Sequence, residues 1–307
     1  MADIDLQAVR DEMVSVAYEA GKMMLAANPA DIATGTKLNA VDIVTEADQG
    51  VEKMACGRLA ASFPSVSFMG EETYKPGMKL GPEPTFVVDP IDDSNPAGAL
   101  GTTNFVHSFP NACISLGLAI ERKPVVGVIY NPWQDLLFTA VKGQGAYMTR
   151  IRGTEPRRLP LAKTPRPLDE GGLGTALVAI EWGSMRDGAN FDNKVETFRK
   201  LAGSKETGGA MVQSLRSLGS AALNLASVAA GEMDMYWEGG CWAWDVCAGW
   251  CVLEEAGGIM VSGNPGDWEP ALDGRVYLAV RGAPSGQKEI VEEFWGVVGD
   301  KTMDYSS

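Results

Sequence analysis

The chain has 307 residues, of which 45% are hydrophobic, and it carries a formal net charge of −14 with an isoelectric point near 4.6. This length and apolar content are enough to build one large hydrophobic core or two smaller ones. The negative charge argues against nucleic acid or an anionic membrane as a partner, because the mean surface potential would repel both. An anionic substrate would therefore need a local source of positive charge, such as metal ions.

The cysteine content and the N-terminus indicate the compartment. The first residues, MADIDLQAVRDEM, lack the basic and apolar regions of a secretory signal, and the chain has no apolar stretch near the length of a membrane span. Five cysteines are an odd number in a chain of this size, and no Asn-x-Ser/Thr sequon occurs. We therefore expect a soluble protein of the cytoplasm with unpaired thiols and no membrane partner.

The first half of the chain combines helical and strand patterns. Apolar residues at helical spacing predict an amphipathic helix over residues 5–27, and a second helical pattern covers residues 45–62. Short apolar runs that favour β structure then predict strands at 65–70 and 85–91. Four more such runs in residues 112–149 are joined in pairs by the turns ERKP and KGQG, which indicates successive antiparallel hairpins.

The second half continues this mixed pattern. Its predicted elements are a strand at 176–180, helices at 191–202, 220–230 and 243–256, and strands at 233–237, 259–262 and 276–280. A stretch rich in proline, glycine and charge, residues 153–174, is the one seam between the halves. We predict a single domain over 1–307 built from layers of helix and sheet, with subdomains at 1–150 and 170–300.

Acidic side chains follow several of the predicted strands. Glu71 follows SFMG, Asp89 and Asp92 follow TFVV, and Asp245 begins the helix WDVCAGWCVLEEAGG. Taken singly, each of them is more readily explained as a solvated loop residue. Together they match hard divalent cations, which bind several carboxylate and carbonyl oxygens, and the Ile91 carbonyl lies between the two aspartates. Two metal ions about 3.5 to 4 Å apart could hold a phosphate and lower the pKa of an attacking water.

These residues lie in motifs that resemble the signature sequences of the inositol monophosphatase family. The matching motifs are GEE at 70–72, DPID at 89–92, GTTNFVH at 101–107 and WDVCAG at 244–249. The resemblance extends in order over nearly the whole chain, and GGCWAWDVCAGW is most similar to fungal members, including those encoded with quinate-utilisation genes. It implies the α+β class and a layered αβαβα sandwich of the inositol monophosphatase and fructose-bisphosphatase type. The 1–150 half would then bind the metal ions, and the 170–300 half would form the substrate side.

The resemblance implies roles for individual residues. The ligands of two or three Mg²⁺ ions would be Glu71, Asp89, the Ile91 carbonyl, Asp92 and Asp245. Glu71 and Thr102 would orient the nucleophilic water with support from Asp48, and Lys37 lies where the family has a lysine near the site. The substrate contacts would be Asp92, Gly101, Thr102, Gly219, Ser220, Ala221, Glu238 and Asp245. For Ser220 and Ala221 the alternative is a helix N-cap and its first turn.

The chain departs from the family directly after Asp92. The family has Gly-Thr there, whose backbone N–H groups begin a phosphate-binding helix. In this chain residues 93–100 intervene. In one register the insert forms a surface loop, and Gly101-Thr102 occupy the positions of the family's Gly-Thr. In the other register Asp93-Ser94 occupy those positions, and Ser94 supplies the hydroxyl. We favour the first register, because it retains the glycine that permits close approach and adds no carboxylate beside the phosphate.

The resemblance therefore predicts a lithium-sensitive, Mg²⁺-dependent phosphomonoesterase that acts on inositol monophosphate or a similar small polyol phosphate, and that forms a homodimer. Water activated by two metal ions would attack directly, since His107 is the only histidine and no convincing nucleophile motif occurs. One alternative is another superfamily activity, on a 3'(2'),5'-bisphosphate nucleotide or a sugar bisphosphate. The other is a catalytically impaired homologue that binds metal or metabolite and is disabled by the insert.

Overall fold

The protein is described by a computed structural model that covers residues 4–27, 34–36, 43–92 and 103–305, with the backbone alone for 34–36 and 43–46. Four of the predicted site residues, Lys37, Ser94, Gly101 and Thr102, lie outside these described residues, as does the whole 93–100 insert.

The described residues form seven α-helices and fourteen strands. The helices are α1 (Leu6–Ala26), α2 (Glu46–Ser62), α3 (Thr103–Val106), α4 (Gly188–Ala202), α5 (Ala221–Ala230), α6 (Ala243–Glu255) and α7 (Gln287–Val298). The strands are β1 (Thr34–Thr36), β2 (Ile43–Thr45), β3 (Ser67–Gly70), β4 (Thr85–Asp92), β5 (Cys113–Ile120), β6 (Lys123–Asn131), β7 (Leu136–Val141), β8 (Gly145–Arg150), β9 (Arg157–Arg158), β10 (Leu177–Ile180), β11 (Ser214–Arg216), β12 (Met235–Gly239), β13 (Ile259–Ser262) and β14 (Val276–Val280).

Helices and sheets stack in five layers. Strands β3 to β9 form a seven-stranded sheet in sequence order, and the second sheet has the order β11-β10-β12-β14-β13. Helices α1 and α2 cover one face of the larger sheet, α5 and α6 fill the space between the two sheets, and α4 and α7 cover the outer face of the smaller sheet. The predicted αβαβα sandwich is confirmed. The division into subdomains at 1–150 and 170–300 stays a prediction.

Most of the longer elements lie where the sequence places them. The hairpins predicted in residues 112–149 are β5 to β8, each antiparallel to the next. Four short strands and two helices were not predicted from the sequence: β1, β2, β9, β11, α3 and α7. Helix α7 does carry a detectable pattern, because Ile290, Phe294 and Val298 are buried at helical spacing. None of the described helices combines the length and hydropathy that crossing a membrane requires. All five cysteines are free thiols, as expected.

Helix α6 packs closely on the larger sheet because two glycines face it. A Cβ on Gly117 would lie 2.5 Å from Sγ of Cys247, and a Cβ on Gly127 would overlap the carbonyl oxygen of Ala248. Larger side chains at these two positions would force the helix away from the sheet. The close approach fixes the distance between α6 and the larger sheet, and the first turn of α6 carries Asp245.

Candidate active site

The two aspartates of the DPID motif share one face of β4 because the strand contains a bulge. Asp89 pairs with Ser115 of β5 and Asp92 with Cys113, so three steps on β4 match two steps on β5. In a regular strand, side chains three residues apart point to opposite faces, and one extra residue reverses the second of them. Pro90 fits in this central strand only because it lies at the bulge. The motif therefore directs both buried carboxylates to the same side.

Glu71 joins this pair because β3 and β4 run parallel and end at the same edge. The backbone N–H of Glu71 donates to the Val88 carbonyl at 3.2 Å, which aligns the turn after β3 with the end of β4. From α2, Glu52 supports the same turn, because its Oε2 accepts the backbone N–H of Glu72 at 2.8 Å. Asp48 lies one helical turn before Glu52 and is also buried. The carboxylates of α2 thus face the turn that carries Glu71.

Asp245 reaches the cluster from α6, in the layer between the two sheets. It lies in the first turn of α6, where its Oδ2 accepts the backbone N–H of Trp242 at 2.7 Å. The carbonyl of Trp244 accepts the Ser115 hydroxyl at 3.2 Å and so ties the start of α6 to β5. Because Ser115 also pairs with Asp89 across the sheet, this contact places Asp245 near Asp89.

The three aspartates form a compact buried cluster. One carboxylate oxygen from each of Asp89, Asp92 and Asp245 lies within 4.8 Å of the others. Oδ1 of Asp92 is buried and has no hydrogen-bond partner among the described residues. A buried carboxylate oxygen without a partner costs free energy, which a bound cation would recover. Carboxylate oxygens are the ligands that Mg²⁺ prefers, so the residues present fit this ion.

Burial raises the pKa of all three carboxyl groups. Burial raises the pKa of Asp92 to about 6. For Asp89 and Asp245, burial and the neighbouring negative charges hold the pKa well above the ordinary value. The pKa of Asp92 is held down by donors from Ser220 and Ala222. A bound divalent cation would remove the repulsion and favour the ionised forms.

These shifts predict that Mg²⁺ stabilises the protein more at high pH than at low pH. A carboxyl group whose folded-state pKa is raised contributes stability at low pH, and this stability is lost as the pH rises through the folded-state value. We expect the Mg²⁺-induced rise in Tm to be clearly larger at about pH 8 than at about pH 5.5, with EDTA as the metal-free reference. Thermal melts at constant ionic strength measure it, and an equal Mg²⁺ effect at both pH values would contradict the assignment.

The N-terminus of α5 contacts the side chain of Asp92 through Ser220 and Ala222. The Ser220 hydroxyl donates to Oδ2 of Asp92 at 2.6 Å, and the backbone N–H of Ala222 donates to the same oxygen at 2.8 Å. Ser220 Oγ also accepts the backbone N–H of Leu223 at 3.2 Å, so Ser220 is the N-cap of α5. One oxygen of Asp92 is thus fixed by the helix N-terminus while the other stays available to a cation. Substrate contact by Ser220 and Ala221 stays a prediction.

Glu238 is the last residue but one of β12, in the half of the chain predicted to form the substrate side. Its Oε2 accepts the Tyr236 hydroxyl, and its buried Oε1 lacks a partner in the described part of the chain. Burial raises the pKa of Glu238 to about 8. Lys194, only 2% exposed, donates from Nζ to the carbonyls of Gly239 at 2.8 Å and Trp182 at 3.1 Å. Its positive charge opposes the rise in the pKa of Glu238.

Three buried charged residues near the site escaped the sequence analysis: Glu52, Glu181 and Lys194. Glu181 follows the predicted strand ALVAI directly, so the pattern that identified Glu71 and Asp89 should have identified it too. Glu52 and Lys194 lie within helices among other polar residues, where a charge normally faces solvent, and no sequence signal distinguishes them.

Comparisons with known proteins show similarity to one family over most of the chain. A family model described as "Inositol monophosphatase family" matches residues 5–298. The chain is 48% identical over 265 residues to "Inositol monophosphatase 2" of Saccharomyces cerevisiae, covering 84% of this chain and 83% of the relative. It is 40% identical over 298 residues to "Quinic acid degradation cluster protein x" of Neurospora crassa, covering 88% and 83%. The solved structure of an inositol monophosphatase from Anabaena superposes with a TM-score of 0.69 at 29% identity, covering 96% of each chain.

Proposed function

We propose, since the chain belongs to the inositol monophosphatase family of phosphoric monoester hydrolases, that it hydrolyses inositol monophosphate or a similar small polyol phosphate with Mg²⁺ as cofactor. The observation that carries the proposal is the buried cluster of Asp89, Asp92 and Asp245. The names of the fungal relatives support the substrate class, although one of them is named for quinic acid degradation.

The cofactor would be held by carboxylates from both halves of the chain. The proposed ligands of two or three Mg²⁺ ions are Glu71, Asp89, the Ile91 carbonyl, Asp92 and Asp245. When bound, such ions offset the charge of the phosphate and lower the pKa of a water molecule. The bulge in β4, the cap at Ser220 and the N–H of Trp242 orient the aspartates in advance. This preorganisation limits the conformational cost of binding the ions.

The remaining site residues would position the substrate and the attacking water. Glu71 and Thr102 would orient the nucleophilic water through hydrogen bonds, and Asp48 would support this hydrogen-bond network. The backbone N–H groups of Gly101 and Thr102 would hold the phosphate, while Lys37 and Ser94 are further candidates outside the described residues. The proposed polyol contacts are Gly219, Ser220, Ala221, Glu238 and the aspartates Asp92 and Asp245. Oε1 of Glu238, which lacks a described partner, could accept a hydrogen bond from a polyol hydroxyl.

A substrate panel tests the proposed class. Phosphate release is measured with Mg²⁺ from inositol 1-phosphate, a 3',5'-bisphosphonucleoside and fructose bisphosphate at equal concentrations. We expect the largest kcat/KM with inositol 1-phosphate, because the buried Oε1 of Glu238 has no partner among the described residues and can accept a hydrogen bond from a polyol hydroxyl. A larger kcat/KM with either bisphosphate would assign the protein to another activity of the superfamily.

Lithium inhibition follows from the family resemblance. We expect millimolar LiCl to inhibit phosphate release at fixed Mg²⁺, because Li⁺ would replace Mg²⁺ at the weaker site and slow product release. The matched control is KCl at the same ionic strength, which should leave the rate unchanged. Superimposable rates in the two salts would point to a different branch of the superfamily or to a distorted second metal site.

We further propose that the protein is a cytoplasmic homodimer, as the resemblance implies. Light scattering coupled to gel filtration measures the mass, and a single species at twice the 32.7 kDa of the chain is the expected result. A species with the mass of one chain at micromolar concentration would refute the dimer.

A further inference from the structure

A buried carboxylate that the proposed chemistry does not use lies at the end of β10. Glu181 directly follows this strand and is 4% exposed. Strands β10, β11 and β12 are parallel, so Glu181, the segment after β11 and Glu238 meet at one edge of the smaller sheet. The segment after β11, residues 217–219, leads directly to Ser220.

Glu181 gathers donors from this segment. Its Oε1 accepts the backbone N–H of Leu218 at 2.7 Å and that of Gly219 at 2.9 Å. The same oxygen accepts the amide of Asn224 at 2.9 Å, and Oε2 accepts the Ser217 hydroxyl at 2.9 Å. Four donors converge on one carboxylate, which offsets the cost of burying its charge.

The opposite side of the segment is bound by α3 and by the loop that precedes β5. The side-chain amides of Asn104 and Asn111 donate to the Leu218 carbonyl at 2.8 Å and 2.9 Å. Both backbone polar groups of Leu218 are therefore occupied, its N–H by Glu181 and its carbonyl by the two asparagines. The segment has little freedom to move between them.

This fixed segment determines where Ser220 lies. Gly219 has φ of 73°, a left-handed conformation that favours glycine, and it turns the chain into the N-cap of α5. The Ser220 hydroxyl then donates to Asp92 at 2.6 Å. A shift of the segment would therefore move both the polyol side of the site and the hydrogen bond that orients a metal ligand.

We propose that Glu181 is a positioning residue of the reaction, which holds residues 217–219 so that Gly219 and Ser220 present their groups to the polyol phosphate and to Asp92. The substrate part of this inference rests on the proposed function. Glutamine at 181 would have one acceptor oxygen instead of two and no negative charge, and its NH2 group would face either Ser217 or the three donors that now bind Oε1. Residues 217–219 would then lose part of the hydrogen bonding that fixes them, while the metal ligands themselves would be unchanged.

The test compares Glu181→Gln with Asp234→Asn. Asp234 is a buried carboxylate at the opposite end of the same sheet, where it accepts Leu177 N–H at 2.8 Å and Arg281 Nε at 2.7 Å. Both variants remove a buried negative charge, so both should lower Tm. We expect only Glu181→Gln to raise KM for inositol 1-phosphate and to weaken Mg²⁺ binding in calorimetry, each by about tenfold.

Glu181→Asp covers the case in which the amide variant does not fold. It keeps the negative charge, but its shorter side chain reaches fewer donors, so KM and the Mg²⁺ dissociation constant should both rise above those of the parent, and parent-like values of both would overturn the proposal. Parent-like KM and Mg²⁺ affinity in a folded Glu181→Gln, with only Tm lowered, would overturn the proposal. If the parent does not hydrolyse inositol 1-phosphate, the proposed function fails, and calorimetry of Mg²⁺ alone still decides whether Glu181 positions Asp92.

Discussion

Asp89→Asn should lower phosphate release by more than about a thousandfold and leave the fold intact. The substitution removes a charged ligand from a cluster whose three carboxylate oxygens lie within 4.8 Å of one another. It also removes part of the repulsion that raises the pKa of the cluster, so the metal-free variant should melt no lower than the parent. Asparagine keeps the size of the side chain and an acceptor for the N–H of Ile91, which aspartate binds at 3.1 Å.

Initial rates and thermal melts with and without Mg²⁺ measure both parts of this prediction. Added Mg²⁺ should raise the Tm of the parent and raise that of the variant much less. Asp192→Asn, on the exposed surface of α4, makes the same chemical change away from the site and should behave like the parent. Activity of Asp89→Asn within a few-fold of the parent would contradict the metal-ligand assignment.

Thr102→Ala should lower kcat by about 10² to 10⁴ with little change in KM, whereas Ser94→Ala should be nearly silent. This contrast follows if the 93–100 insert is an excursion and Thr102 keeps the family position that orients the attacking water. A lost interaction that exists only in the transition state lowers kcat and leaves substrate binding unchanged.

The two variants test the register directly because each removes the hydroxyl that one register places beside the phosphate; Thr102→Ala also removes a methyl group. Steady-state kinetics with inositol 1-phosphate measures both. The reverse pattern, with Ser94→Ala strongly impaired and Thr102→Ala close to the parent, would show that Asp93-Ser94 replace Gly101-Thr102 beside the phosphate.

The sequence predicts the layers and the acidic cluster because strong local patterns encode them. Apolar periodicity is sufficient for α1, α2 and the hairpins, and acidic residues after apolar strands identify Asp89 and Asp92. The local sequence does not predict that both aspartate side chains point to the same face of β4. That orientation depends on the pairing of β4 with β5, where one extra residue in β4 reverses the direction of the second side chain.

Long-range contacts explain what the sequence analysis missed. Glu181 matters because Leu218 and Gly219, nearly 40 positions away, donate to it, as the separations of 37 and 38 residues show. Lys194 lies in α4, and its hydrogen-bond partners are the backbone carbonyls of Trp182 and Gly239, which are distant in sequence. Such roles depend on which strand ends meet at a sheet edge, and single-chain periodicity does not contain that information.

The most direct test of the account combines Mg²⁺ binding with turnover on the same sample. Calorimetry measures Mg²⁺ binding to the parent, and phosphate release from inositol 1-phosphate is then followed with Mg²⁺ and with EDTA. The account predicts saturable Mg²⁺ binding and phosphate release that depends on Mg²⁺ and stops with EDTA. Mg²⁺ binding without phosphate release would contradict it and would identify the chain as a catalytically silent member of its family.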